Sequence, residues 1–149
     1  MGAFHEIGVR TVTVDINQSL LEIIGSTVMR TRVLEISCVA VNSGGVVTMG
    51  LGRPAAAGVI PTSPVALTPE IAGDAAPTTT VATAWVLSPT NPTVYMRKHH
   101  FSNTQPGGFT WRFPTGIVLA QSGVGRSLVL QLLVTDNAEY DVWVVVEEV

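Results

Sequence analysis

Hydrophobic and polar residues alternate with a period of two along much of the chain, which is the pattern of a β-strand with one face on a core. In residues 141–147, the alternation directs Val142, Val144 and Val146 to one face and Trp143 to the other. Strand character also marks residues 10–16, 28–42, 46–51, 78–87, 94–101, 109–113, 116–121 and 127–134. The pattern predicts about eight or nine strands and no long helix.

One short segment fits two kinds of local structure. Ser19 and Glu22 have the S-x-x-E spacing of a helix capping box, and Gly25 is placed as a terminator. This spacing predicts one or two helical turns, and a strand over residues 20–24 is the alternative.

The longest strand-like run, residues 28–42, places Leu34, Ile36, Cys38 and Ala40 on one face. Val33, Glu35, Ser37, Val39 and Val41 then occupy the other face. The turn-forming residues 42–45 follow, so we expect a hairpin with the strand over residues 46–51.

Many short strands joined by tight turns indicate an all-β fold. Val, Thr and Ile together supply 48 of the 149 residues, and the chain has 14 Gly and 9 Pro. The length is that of a single domain, residues 1–149. We predict a two-sheet antiparallel β-sandwich that is jelly-roll-like. An immunoglobulin-like sandwich is the alternative, although the chain lacks its Cys…Trp…Cys pattern.

Residues 53–77 form a long Pro-rich connection with five prolines, at positions 54, 61, 64, 69 and 77. Proline restricts φ and lowers the entropy lost on docking, so we predict an extended arm on a neighbouring subunit, anchored by Arg53. The alternative is a surface loop on its own domain. The candidate residues for a subunit or capsid interface are Arg53, Pro54, Pro61, Pro64, Pro69 and Trp143.

Charge is sparse: charged residues are 13% of the chain, against about 25% in a typical domain. The net charge is −3 and Lys98 is the single lysine, so no basic stripe favours nucleic acid. The longest apolar run, residues 142–146, is too short to span a membrane, and residues 1–10 lack a secretion signal. The single Cys38 fits a reducing cytosol. A sparsely charged chain with exposed Val39, Val41, Trp143 and Val145 predicts a homo-oligomer.

The residues that carry chemistry are not clustered. His99 and His100 point to opposite faces of a strand, Cys38 shares a face with core residues, and Glu147 and Glu148 are expected to be solvated. We expect Phe109, Trp111, Phe113 and Trp85 to be core residues. No catalytic, cofactor or metal site is predicted, so a non-enzymatic protein is expected.

Four segments are similar to small β-rich virion proteins of tailed bacteriophages: residues 51–58 (LGRPAAAG), 84–85 (AW), 109–120 (FTWRFPTGIVLA) and 141–147 (DVWVVVE). The resemblance extends over nearly the whole chain, and its motifs are structural. It implies a capsid decoration (cement) protein, made in the host cytoplasm, that forms a homotrimer and binds the major capsid protein on the virion surface. A receptor- or glycan-binding module of a tail or fibre is the alternative. An enzyme with a jelly-roll fold is a third hypothesis.

Overall fold

The computed structural model describes residues 2–11, 18–41, 45–59, 65–102, 107–134 and 139–149. In these ranges the strands are β1 (Ala3–Arg10), β2 (Ser19–Ile24), β3 (Thr31–Ala40), β4 (Val46–Gly52), β5 (Val65–Ala66), β6 (Thr68–Pro69), β7 (Thr80–Ala82), β8 (Tyr95–Ser102), β9 (Gly108–Leu119), β10 (Ser127–Val134) and β11 (Tyr140–Glu148). A 3-10 turn, Val124–Arg126, precedes β10. Pro61, Pro64, most of the strand predicted at 10–16 and most of the turn predicted at 42–45 lie outside the described residues.

The strands form two antiparallel sheets. One has five strands in the order β6-β1-β11-β3-β9, and the other has six in the order β5-β7-β2-β10-β4-β8. The long strands pair as nested partners: β1 with β11, β2 with β10, β3 with β9 and β4 with β8. Successive pairs alternate between the sheets, which is the order of a jelly roll. The predicted all-β, jelly-roll-like sandwich is therefore confirmed.

The core lies between the sheets and follows the predicted alternation in several strands. Val142, Val144 and Val146 of β11 face Leu128, Leu130 and Leu132 of β10 in one buried cluster. Cys38 is fully buried in this cluster, as predicted, and its burial raises the pKa of its thiol. The side chains of β11 that point away from the cluster form the opposite face of the five-stranded sheet.

Three local predictions are wrong. Residues 19–22 belong to strand β2, the stated alternative, because Ser19–Ile23 are buried beneath neighbours on both faces rather than exposed as on a surface helix. Strands β3 and β4 do not form a hairpin, because the chain crosses from one sheet to the other between them. Of residues 78–87, only Thr80–Ala82 form a strand.

A β-bulge changes the facing pattern in β3. Val33 pairs with Val146 and Glu35 pairs with Val145, so Leu34 is the extra residue. The bulge turns Val33 into the core and leaves Leu34 half-buried, which reverses the predicted facing of these two residues.

The two sheets differ in how their outer faces are covered. Strands β2, β4 and β10 are buried on both faces, and Gly50 and Gly52 of β4 lie against Tyr95 and Pro92. Strand β1 and the first half of β11 alternate between covered and exposed residues. The five-stranded sheet is therefore the one with an open outer face.

Candidate interface on the outer face of the five-stranded sheet

Trp143 lies at the centre of the open face, on β11. Its side chain is 53% exposed, as the alternation predicted. Across the pairing of β1 with β11, Trp143 is opposite Gly8, and a Cβ on that glycine would be 3.6 Å from the indole ring. Because Gly8 has no side chain, one side of the indole rests on the backbone of β1 and the rest is open to a partner.

A shallow groove of about 260 Å³ runs beside the indole. It is lined by Gly8, Val9, Arg10, Asp141, Val142 and Trp143. At its rim, Arg10 donates to both carboxylate oxygens of Asp141, at 2.8 and 3.0 Å. This bidentate interaction raises the pKa of Arg10 and lowers the pKa of Asp141.

The other arginines of this face are also paired across neighbouring strands. Arg32 of β3 donates to Glu147 of β11 at 2.8 Å, and Arg112 of β9 donates to Glu35 of β3 at 2.9 Å. With Arg10 and Asp141, three positive charges are neutralised within the face. The arginines of this face are therefore paired, whereas Glu6 of β1, exposed on the same face, forms no ion pair with a described residue. Paired surface ions are less costly to remove from water than unpaired ones.

Two apolar side chains are near neighbours of the tryptophan on this face. Val145 lies two residues along β11 and is half-buried, and Val39 of β3, opposite Asp141, is 46% exposed. Val41, just beyond β3, is also exposed, whereas the exposed Phe4 and Val118 lie towards the other end of the sheet. The exposure predicted for Val39, Val41 and Trp143 is confirmed, whereas Val145 is partly covered. An exposed tryptophan with apolar neighbours is a composition common in protein–protein contact patches.

Of the predicted arm residues, the described Arg53, Pro54 and Pro69 do not line the groove beside Trp143. Arg53 donates to the carbonyls of Val118 and Gly125 of its own chain, at 2.8 and 2.9 Å. Pro54 is buried, and Pro69 in β6 pairs with His5 of β1.

The described parts of the arm pack on their own domain. Residue Val59 forms a bridge with Leu87, β5 pairs with β7, and the Glu70 N–H donates to the Phe4 carbonyl at 3.0 Å. This placement matches the alternative stated for residues 53–77, and an interface role for the arm stays a prediction.

The aromatic stripe of β9 fills the side of the sandwich between β8 and β9. Phe109 and Phe113 are buried and Trp111 is half-buried, so the stripe is mainly core, as predicted. The Phe109 ring lies 4.2 Å from Trp111 and 5.1 Å from His99, between centroids. His100 points to the other face, where its Nδ1 is 2.6 Å from the Thr48 hydroxyl. The two histidines are thus separated as predicted.

Two buried glutamates were missed, because a glutamate on a strand is ordinarily expected to face water. Glu22 accepts hydrogen bonds from the Gly58 N–H, the Trp85 indole N–H at 2.8 Å and the Ser127 hydroxyl. Trp85 is therefore half-buried beside this carboxylate instead of lying in the core as predicted.

Glu148 is buried, contrary to the solvated position expected for it. Its carboxylate accepts from the Thr78 and Thr79 N–H groups at 3.0 and 2.6 Å, and His5 Nε2 lies 3.7 Å away. Both glutamates bind backbone N–H groups of the long connection between β4 and β8. The sequence signal for these contacts is weak: it consists of a glutamate within a strand, in a chain that also has a long Gly- and Pro-rich connection whose N–H groups need acceptors.

Chemistry beyond binding has little support in the described ranges. No group of three or more His, Cys, Asp or Glu side chains there is placed to hold a metal ion. Nor does any helix formed by these residues have the length and hydropathy to cross a membrane.

Together, the strand order and the burial define a jelly-roll-like β-sandwich with an exposed tryptophan at the centre of its open face. Comparison with protein-family models, with curated proteins and with solved structures found no match.

Proposed function

We propose that this chain is a non-enzymatic structural subunit of a bacteriophage virion, of the capsid decoration type. In this proposal it binds the major capsid protein on the outer head surface and stabilises the particle. It does so as a homotrimer, and the number of three subunits is taken from the sequence resemblance. The observation that carries the proposal is Trp143, exposed at the centre of a face whose arginines are paired internally.

Stabilisation follows from the area that such a face buries. A stable protein–protein contact removes more than about 1,000 Å² of surface from water, and each site contributes its binding free energy to the closed particle. Opening the head then requires that these contacts break as well.

The test compares phage particles with and without the protein. Deleting the gene, or stripping the protein from purified heads, lowers the temperature of genome release if the proposal is correct. Adding back the wild-type protein restores it, whereas a Trp143→Ala protein does not. An unchanged release temperature contradicts a stabilising role.

The alternative, a glycan-binding module of a tail or fibre, is favoured by one feature of the same face. The groove joins the open side of the Trp143 indole to the Arg10–Asp141 pair, and sugars stack on aromatic rings while charged side chains bind their hydroxyl groups. A glycan array, with quenching of tryptophan fluorescence, tests this alternative. Immunogold labelling of the head together with an empty array favours the decoration protein.

A further inference from the structure

One long side of the sandwich, formed by β8, carries two cations that pair with no described residue; β8 is the edge strand of the six-stranded sheet. Arg97 and Lys98 project from opposite faces of this strand, opposite Leu51 and Gly50, and both are exposed. Neither forms an ion pair with any described residue. Among these residues Arg97 donates to the carbonyl of Met96 at 3.3 Å, and the Lys98 ammonium lies 5.0 Å from the Tyr95 ring.

The opposite side carries two carboxylates that also have no ion-pair partner among the described residues. Glu6 of β1 pairs across the backbone with Thr68 of β6, and the backbone of Glu70 binds Phe4 on the same strand. Both carboxylates are exposed and form no ion pair with a described residue. They contrast with Glu35, Asp141 and Glu147 on the same sheet, which are all paired.

The two sides are too far apart to neutralise each other within one molecule. Strand β8 lies over β9, because His99 stacks on Phe109, and β9 and β6 are the opposite edges of the five-stranded sheet. Glu70 follows the edge strand β6, four strand spacings or about 19 Å from β9, and Glu6 on β1 is three spacings or about 14 Å from it. Both exceed the distance over which exposed charges interact at physiological salt, about 8 Å.

Each charged side also has exposed apolar residues that a contact would bury. Val94 and Met96 flank Arg97 and Lys98 on one side, and Phe4 and Ile71 flank the carboxylates on the other. Apolar groups supply the area of an interface, while opposite charges select its orientation.

We propose that copies of this chain associate head to tail, with Arg97 and Lys98 of one copy facing Glu6 and Glu70 of the next. A contact between two identical sides would oppose like charges, whereas the head-to-tail contact opposes unlike ones. Such a contact closes into a ring when the rotation between copies allows it. This contact is the surface through which the homo-oligomer of the proposed function would form. It rests on that self-association and not on attachment to a particle.

The competing explanation is that Lys98 and Arg97 protect an edge strand from pairing with other strands, a common role of charge at sheet edges. In that case the side has no partner, and reversing its charge leaves the oligomeric state unchanged. The two explanations therefore differ in a measurable quantity.

The test reverses the charge of each side separately. One variant carries Arg97→Glu and Lys98→Glu, and a second carries Glu6→Lys and Glu70→Lys. We expect each alone to self-associate at least about a hundredfold more weakly than the wild type by sedimentation, since like charges then meet. An equimolar mixture is expected to regain association, because each variant supplies the side that the other needs. Arg30→Glu, an exposed charge reversal elsewhere, is the control and should associate like the wild type.

Circular dichroism shows whether each variant is folded, and cysteine cross-linking avoids charge reversal altogether. When Glu6→Cys and Arg97→Cys proteins are mixed under mild oxidation, we expect the mixed dimer to exceed both like pairs; Cys38 is buried and does not compete.

Several outcomes overturn the proposal. A wild-type protein that is monomeric at all concentrations contradicts self-association itself. Association that persists in both charge variants contradicts this location only. Variants that lose association but do not regain it when mixed show that the two sides do not contact each other.

Discussion

The carboxylate of Glu22 accepts a hydrogen bond of 2.8 Å from the indole N–H of Trp85, and this bond connects strand β2 to a loop 63 residues away. The same carboxylate binds the Gly58 N–H and the Ser127 hydroxyl, so one buried side chain holds two loop segments on the outer face of the six-stranded sheet. No cation contributes to these contacts, which are all made by neutral donors.

Replacing Glu22 with glutamine is expected to lower the free energy of unfolding by about 2 kcal/mol, because a buried amide NH₂ would then face groups that are themselves donors. Trp85→Phe removes a single donor and should cost less, about 1 kcal/mol. Urea unfolding measures both. Arg30→Gln, which removes an exposed charge outside the proposed contacts, is the control, and a cost for Glu22→Gln no larger than for this control would contradict the anchoring role.

Gly58 is expected to tolerate no side chain. A Cβ there would overlap the Trp85 ring and lie 2.8 Å from a Glu22 oxygen. Gly58→Ala should therefore lower the melting temperature by several degrees, roughly the effect of 1 kcal/mol or more in a domain of this size. Replacement of the exposed Ala56 by glycine is the neighbouring control. Equal melting temperatures for the two variants would show that the loop is not held against Glu22.

Trp143→Ala is expected to separate binding from stability. An exposed side chain contributes little to folding, so the unfolding free energy should change by less than about 0.5 kcal/mol. A central tryptophan of an interface commonly contributes about 2 kcal/mol or more, so binding to the head should weaken at least about thirtyfold. Co-sedimentation with purified heads measures this. Val86→Ala, at a residue 77% exposed elsewhere on the surface, should bind normally.

The Arg10–Asp141 pair predicts a small loss of stability in acid. The hydrogen bonds from Arg10 hold the pKa of Asp141 below its ordinary value of 3.8. The charged pair therefore favours the folded state above about pH 4, and this contribution disappears as the pH falls through the lowered pKa. Since the pair is exposed, water and salt screen it and its contribution to stability is small. NMR titration of the Asp141 carboxyl measures the pKa directly, and Arg10→Gln should return it towards the ordinary value.

Cys38 is expected to be unreactive in the folded protein. Burial raises the pKa of its thiol, so little thiolate forms, and reagents reach the sulfur only when the fold opens. A thiol reagent should label the single cysteine of each chain in denaturant, and it should react far more slowly with the native protein. An engineered cysteine at Val86 should react at once under native conditions. Rapid labelling of native Cys38 would contradict its position in the core.

The alternation of hydrophobic and polar residues predicted correctly which side chains face the core where one face of a strand is open. It failed where both faces are covered. In β11 it correctly placed Trp143 outside and its valine neighbours inside. In β2, Ser19 and Glu22 imitated a helix cap because burial on both faces removes the alternation. The bulge at Leu34 has no sequence signature, because Val33 and Leu34 are both apolar and either could face the core, so the facing of Val33 was reversed.

The candidate site was predictable only in part. The exposure of Trp143 follows from local pattern, but Arg10 and Asp141 are 131 residues apart in sequence. Neither composition nor spacing indicates that β1 and β11 are neighbours, because this pairing is set by the topology of the whole sandwich. The sequence likewise suggested Arg53 as the anchor of an arm on a neighbouring subunit, but it did not indicate that the carbonyls of Val118 and Gly125 in the same chain would accept its hydrogen bonds.

The nested strand pairs have a consequence for how the chain acquires its structure. Strand β11 lies in the interior of the five-stranded sheet between β1 and β3, so that sheet has a gap until residues 140–148 are synthesised. Closing the β1–β11 pair brings together segments separated by almost the whole chain, and such long-range pairing makes folding slow. During synthesis, β1 and β3 therefore have unpaired edges until β11 is available to pair with both. We expect the nascent chain to be prone to aggregation during that interval.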